Sequence, residues 1–177
     1  VAPNERVGIA GGSGSGKSTL LRLIAMLEKP TSGTIQLFGE DVTSIQNHRD
    51  IYQSMQMMFQ NPLAIIPPRM NLEAFMLEPY INYGLMDETS AKEDICKWIQ
   101  HVDLPESIVQ KYPHEVSGGQ LQRVVLARIM LMHPKLVLFD EPTSALDAVN
   151  QKLVLDLLQK LHREQPFGYV FVSHDIG

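Results

Sequence analysis

The residues "ERVGIAGGSGSGKSTLLRLI", Glu5 to Ile24, constrain this chain more than any other stretch. A short apolar run ends in a glycine and serine loop, and a leucine-rich run follows at once. The order strand, tight loop, helix forces the chain to cross over before it can pair again, which is the start of a parallel sheet. The loop fits G-x-x-x-x-G-K-[ST] from Gly11 to Ser18 and lies in the strand-to-helix context that the pattern needs. Gly11, Gly12, Ser13, Gly14, Ser15 and Gly16 allow backbone N–H groups to turn inward around phosphate oxygens. The helix start adds partial positive charge. Lys17 is placed to reach β- and γ-phosphates, Ser18 offers a hydroxyl to Mg²⁺, and Thr19 completes the stretch. A plain flexible turn would need none of this context.

A second segment supplies what a phosphate loop lacks. "KLVLFDEP" reads as a buried strand carrying two carboxylates at its C-terminal end, the edge at which α/β sheets bind ligands. Asp140 is the candidate Mg²⁺ ligand and Glu141 the candidate general base for an attacking water. Gln60, at the expected end of the strand in "MMFQNP", is a candidate contact to Mg²⁺ and water. His174, after "VFVS", is a candidate γ-phosphate contact. Each alone would be an ordinary loop or strand-end residue; their weight comes from the set.

"HEVSGGQLQRV" raises a separate question, because one nucleotide needs one cradle. Ser117 and Gln120 form a helix-capping pair by spacing. Capping does not explain Gly118 and Gly119, since glycine weakens a helix by about 1 kcal/mol relative to alanine. Bare backbone at a helix start suits a phosphate. With Lys17 assigned to the chain's own nucleotide, Ser117, Gly118, Gly119 and Gln120 are free to complete a site on a partner molecule.

The hydrophobic pattern predicts strands over Glu5–Ala10, "TSGTIQLFGEDV", "QMMFQNP", "KLVLFDE" and Tyr169–Ser173. It predicts helices over Lys17–Leu27, Gln46–Met55, Asn71–Tyr83 with a break at Pro79, Ser90–Val102, Gly118–Met132 and Val149–Glu164. In the helix over Ser90–Val102, Ser90 and Glu93 are spaced as a capping box. Trp98 shares a core face there with Ile95, Ile99 and Val102. The fold class is α/β: a mainly parallel sheet with an inserted helical subdomain, divided as 1–70, 71–116 and 117–177. The chain has 177 residues and a net charge of −5, which argues against bulk binding to nucleic acid. Cys96 is the sole cysteine, so an internal disulfide is excluded and a reducing compartment is indicated. No apolar run spans a bilayer. Abrupt ends on core strands suggest a piece of a longer protein.

The phosphate loop, Gln60, "VSGGQLQR", "LVLFDEP", "SALD" and His174 occur in the order and spacing of ATP-binding-cassette ATPases, which nearly the whole chain resembles. The resemblance implies a phosphate-loop, RecA-like core and hydrolysis of ATP with Mg²⁺. It implies a nucleotide-sandwich dimer in which Ser117–Gln120 caps the ATP of the opposite subunit. Ser144 to Asp147 would form the loop at that interface, with Asp147 coupling the two sites. The family's adenine-stacking aromatic, normally upstream of the first strand, has no counterpart here.

"MMFQNPLAIIPPRMNLEAFMLEPYINYG" is similar to the ATPases of bacterial importers for peptides, nickel and metal chelates. Gln60, Asn61, Pro62, Pro68 and Arg69 fit that pattern, while Ile65, Ile66 and Pro67 depart from it. The implied partners are a second ATPase subunit (identical or merely similar), membrane permease subunits and, indirectly, a substrate-binding protein. The implied place is the cytoplasmic face of the bacterial membrane. The residues Ile65, Ile66, Phe75, Met76 and Tyr80 form either a permease-docking surface over about Pro62–Tyr83 or simply the subdomain core. The alternative function is a soluble cassette ATPase of translation or DNA repair. The segment between Ser18 and Ser117 has no heptad run, against the repair version. Glu141 and His174 argue against a module that binds ATP without turnover.

Overall fold

The structure is a computed structural model that describes residues 1–61, 64–144 and 146–173. It divides into two compact units. One comprises Val1–Met57, Pro134–Glu141 and the chain from Phe167 onward; the other comprises Met58–His133 and Pro142–Pro166.

The first unit holds strands β1 (Arg6–Ala10), β2 (Gln36–Leu37), β3 (Glu40–Asp41), most of β4 (Met55–Met58), β5 (Leu136–Asp140) and β6 (Gly168–Ser173). It also holds helices α1 (Lys17–Ile24) and α2 (His48–Ser54). Among the described residues the main sheet runs β1-β6-β5-β4. Strand β6 pairs in parallel with both neighbours, Val172 standing opposite Ile9 on one side and Asp140 on the other. That register brings the end of β1, where the glycine loop begins, and the end of β5 to the same sheet edge. Strand β5 is buried throughout and β6 alternates, as their central places require. The apolar run over β1, counted above among the core strands, is not buried: among the described residues it lies at an edge, and its residues alternate between exposed and half-buried.

Leu21, Ala25, Leu37, Val42, Ile45, Met55, Leu136, Leu138, Val170 and Val172 form one core cluster in this unit. Helix α1 is shorter than expected. It stops at Ile24 because Met26 turns into left-handed backbone at φ 56°, and Leu27 is left exposed. The stretch "TSGTIQLFGEDV", expected as a turn and an exposed strand, is a hairpin. Phe38 (φ 52°) and Gly39 (φ 90°) form its two-residue loop between the antiparallel β2 and β3.

The second unit is helical: α3 (Leu72–Tyr83), α4 (Glu88–His101), α5 (Gly118–Met130) and α6 (Ala148–Glu164). Two 3₁₀ segments, Glu106–Gln110 and Pro113–Glu115, were not foreseen. Helix α3 is not broken at Pro79; the ring is buried inside a continuous helix capped by Asn71. Arg128 of α5 pairs with Glu78 of α3 at 2.7 Å and covers the Phe75 ring at 4.1 Å, tying the two helices together. Helix α4 starts earlier than expected. Its cap is Asp87, which accepts from Thr89 and Ser90 N–H, and the Ser90 hydroxyl donates to the same carboxylate at 2.6 Å. The Ser90–Glu93 capping box is therefore overturned: Ser90 lies inside the first turn.

Trp98 is half-buried rather than core, its ring beside those of His101 and His133. Ile66, Phe75, Met76 and Tyr80 are 2%, 1%, 0% and 1% exposed. Four of the five side chains considered for permease docking are thus interior side chains.

Candidate functional site

The glycine loop leaves β1 at Ala10 and enters α1 at Lys17. Two of its glycines need their freedom. Gly14 has φ 76°, and Gly16, the N-cap of α1, has φ 90°, a backbone that a side chain would strain. The Lys17 side chain is buried and doubles back along the loop. Its Nζ donates to the carbonyls of Gly11 at 2.6 Å and Gly12 at 2.8 Å. The ammonium is therefore held at the mouth of the loop. The first N–H groups of α1 have no partners within the helix, and this is the chemistry that gathers phosphate oxygens.

Ser18 Oγ donates to Asp140 Oδ1 at 2.8 Å, joining the first turn of α1 to the end of β5. Asp140 is 6% exposed. A hydroxyl and a carboxylate are both hard oxygen donors. With Mg–O bonds of about 2.1 Å, adjacent corners of an octahedron stand about 3.0 Å apart. The 2.8 Å separation already matches such an edge, so these residues fit the ion. No cluster of three or more His, Cys, Asp or Glu suited to a metal occurs among the described residues. That agrees with an ion held by one carboxylate together with phosphates and water.

Glu141 follows Asp140 and is also 6% exposed. Its backbone is left-handed at φ 49°, and its N–H donates to Val172 O at 3.2 Å. Beta-region continuation would carry Glu141 on along β5. The left-handed residue instead ends the strand and turns the carboxylate out of the strand's alternation, a strained geometry of the kind found at functional positions.

Gln60, Ser117 to Gln120 and Asp147 belong to the second unit. Gln60 lies beyond the end of β4, which stops at Met58, and not at the strand end as expected. Its Nε2 donates to Ser144 Oγ at 3.1 Å. Ser117 and Gln120 form the anticipated capping box: Ser117 Oγ accepts from Gln120 N–H at 3.2 Å and Ser117 N–H donates to Gln120 Oε1 at 2.9 Å. Gly118 is exposed. Gly119 is buried, and a Cβ there would stand 2.6 Å from Asn150 Oδ1. Close approach of α6 accounts for that glycine, which capping could not.

Asp147 caps α6, accepting from Asn150 N–H at 2.9 Å and from Asn150 Nδ2 at 2.7 Å. These two bonds, the backbone one first, hold its carboxyl below the usual aspartate range. His174 lies outside the described residues, as do Pro62, Leu63 and Ala145. Three residues of this region were missed by sequence reasoning: Asn150, Gln122 and Gln151. Gln122 Nε2 donates to Pro142 O at 2.5 Å, and Gln151 Nε2 donates to Thr143 O at 3.1 Å. The only signal for Gln122 was a glutamine within the apolar run of α5.

Residues 1–144 match the family model of the ABC transporter. The di/tripeptide transport ATP-binding protein DppF of Pseudomonas aeruginosa is 38% identical over 98% of this chain and 54% of its own length. The nickel import ATP-binding protein NikE of Brucella abortus is 38% identical over 99% of this chain and 67% of its own. The chain spans about half the length of the peptide-transport relatives it matches. Among solved structures, a dimeric ATP-binding cassette in a post-hydrolysis state with ADP and Pi superposes with a TM-score of 0.86 at 31% identity. That match covers 99% of this chain and 77% of the other. The cbiO1 protein of Clostridium perfringens, part of the ABC transporter complex cbiONQ, superposes at 0.85 with 26% identity, covering 98% and 68%. The fold, the loop geometry and these likenesses together place the chain in the ABC transporter family.

Proposed function

We propose that this chain is the ATPase part of a bacterial importer, hydrolysing ATP to drive uptake of peptides or of nickel or another metal chelate. The observation that carries the reading is the 2.8 Å bond between Ser18 and Asp140, residues far apart in sequence that meet beside the phosphate loop. Similarity to both peptide and nickel import proteins supports the cargo class.

In this reading the loop from Gly11 to Thr19 binds the phosphates and Lys17 exchanges its loop carbonyls for phosphate oxygens. Ser18 and Asp140 would hold Mg²⁺, which would supply charge neutralisation for the β- and γ-phosphates, and Gln60 keeps its expected role as a contact to the ion and the water. Glu141 accepts the proton of the water that attacks the γ-phosphorus, leaving ADP and inorganic phosphate. His174 contacts the γ-phosphate. Ser117, Gly118, Gly119 and Gln120 cap the nucleotide of a second ATPase subunit, and the loop ending at Asp147 couples the two sites. The dimeric cassette among the structural neighbours supports this pairing. Membership of cbiO1 in an ABC transporter complex supports permease partners, and attachment to the cytoplasmic membrane face is part of the same proposal. No described helix is long and apolar enough to cross a membrane. For function we keep the division 1–70, 71–116 and 117–177, in which 71–116 holds helices α3 and α4.

The test compares Glu141→Gln with Lys17→Ala in the full-length protein. The glutamine variant binds ATP normally and loses about 10²–10⁴ in turnover, the usual worth of a general base. The alanine variant loses binding itself. Equal loss of ATP binding in both would make Glu141 a metal-holding or structural residue and overturn its assignment.

A further inference from the structure

Three glutamine amides converge on three consecutive residues of the turn after Glu141. Gln122 of α5 holds the Pro142 carbonyl, Gln151 of α6 holds the Thr143 carbonyl, and Gln60 holds the Ser144 hydroxyl. The turn has no ladder of its own, so side chains take over the work that backbone partners do in a strand. Thr143 O also accepts from Leu146 N–H at 3.1 Å, which fastens the turn to the approach of α6.

Gln122 is the informative member. It is 1% exposed. Pro142 O can only accept, so the amide's NH₂ group must face it. The other end, Oε1, is then buried without a hydrogen-bond partner among the described residues. A methionine of similar length would fill the same space, but it would exchange one buried carbonyl without a donor, Gln122 Oε1, for another, Pro142 O. The two residues are near balance on that count, and what glutamine adds is the hold on Pro142. Pro142 is bonded directly to Glu141, and α5 begins with Ser117–Gln120.

We infer that Gln122 and Gln151 are positioning residues that lock the turn 142–144, fixing Glu141 from its C-terminal side and Ser144 under the Gln60 amide. The inference rests on the reading of Glu141 as general base.

The experiment uses the full-length protein with Gln122→Met, Gln151→Met and the double variant. Steady-state ATP hydrolysis, thermal unfolding and amide exchange at Leu146 are measured. The expected result is an unchanged KM for ATP and a kcat lowered about tenfold or more, as misplacement of a reacting group produces. Leu146 N–H exchanges faster, and Gln122→Met shifts the melting temperature by no more than about 2–4 °C. Wild-type kcat in both single variants, with an active parent, overturns the inference. So does a loss of kcat matched by lower melting temperature and raised KM, which marks a merely structural role. If the parent hydrolyses no ATP, the functional reading fails instead; unchanged exchange at Leu146 in the double variant then overturns the lock itself.

Discussion

Adding one methyl group at Gly119 tests how closely α5 and α6 approach. On intrinsic propensity Gly119→Ala stabilises a helix by up to about 1 kcal/mol. The surroundings oppose this. The new Cβ would stand 2.6 Å from Asn150 Oδ1, 3.0 Å from its Cγ and 3.4 Å from its Cβ. The Asn150 side chain cannot swing away freely, because its Nδ2 is bonded to Asp147 Oδ2 at 2.7 Å. Overpacking of this kind costs about 1–3 kcal/mol. The net effect is a destabilisation of about 1 kcal/mol, or a fall of about 2–4 °C in Tm for a chain of this size.

The decisive measurement is the same change in an Asn150→Ala background. Oδ1 and Cγ are then gone, and the remaining 3.4 Å contact is near ordinary van der Waals distance. Gly119→Ala should now raise Tm, a reversal of sign corresponding to a coupling of about 2 kcal/mol, within the range for residues in contact. Thermal or urea unfolding of the four proteins gives the cycle directly. If Gly119→Ala stabilises equally in both backgrounds, α6 does not crowd the start of α5 and the packing account of Gly119 is wrong.

Two further outcomes follow from single bonds. Ser18→Ala removes the hydroxyl that meets Asp140, so ATP affinity measured by titration should weaken in Mg²⁺ and stay unchanged in excess chelator; equal weakening in both would refute Ser18 as an ion ligand. The Asp87 carboxyl is held below its ordinary value, first by the Ser90 hydroxyl and then by the Ser90 and Thr89 N–H groups. Because its folded value is the lower one, its stabilisation is fully present above about pH 3.9 and is lost as pH falls through the folded value. The gap in urea midpoint between wild type and Asp87→Asn should therefore narrow below about pH 4, and a gap constant with pH would sink this assignment.

The phosphate loop was legible because its requirements are local: spacing of glycines, an adjacent strand and an adjacent helix. The partnership of Ser18 with Asp140 was legible only as a role. The contact depends on β6 standing between β1 and β5 with Val172 opposite both Ile9 and Asp140, and strand order is not written in local pattern. Competing caps were misjudged for a similar reason. Asp87 and Ser90 are both good N-caps, and the choice depends on where the chain begins to turn after Gly84. Apolar residues such as Phe75 and Met76 were ambiguous in principle, since a core and a docking surface require the same side chains. What covers them decides, and here the subdomain itself does.

The second glycine-rich turn separates what this chain explains from what it leaves over. The Ser117–Gln120 capping box uses both side chains within their own helix. Asn150 accounts for Gly119. For Gly118 the surroundings supply no reason: it is exposed, its φ is not left-handed, and an added Cβ would meet Leu146 Cδ2 at an ordinary 3.7 Å. A side chain would fit there and would favour the helix by up to about 1 kcal/mol. Its lack leaves bare backbone facing outward beside a helix start, where N–H groups and helix charge favour an anion. The proposed role of the turn on a second subunit's nucleotide therefore rests most heavily on Gly118, the residue with the fewest duties inside its own chain.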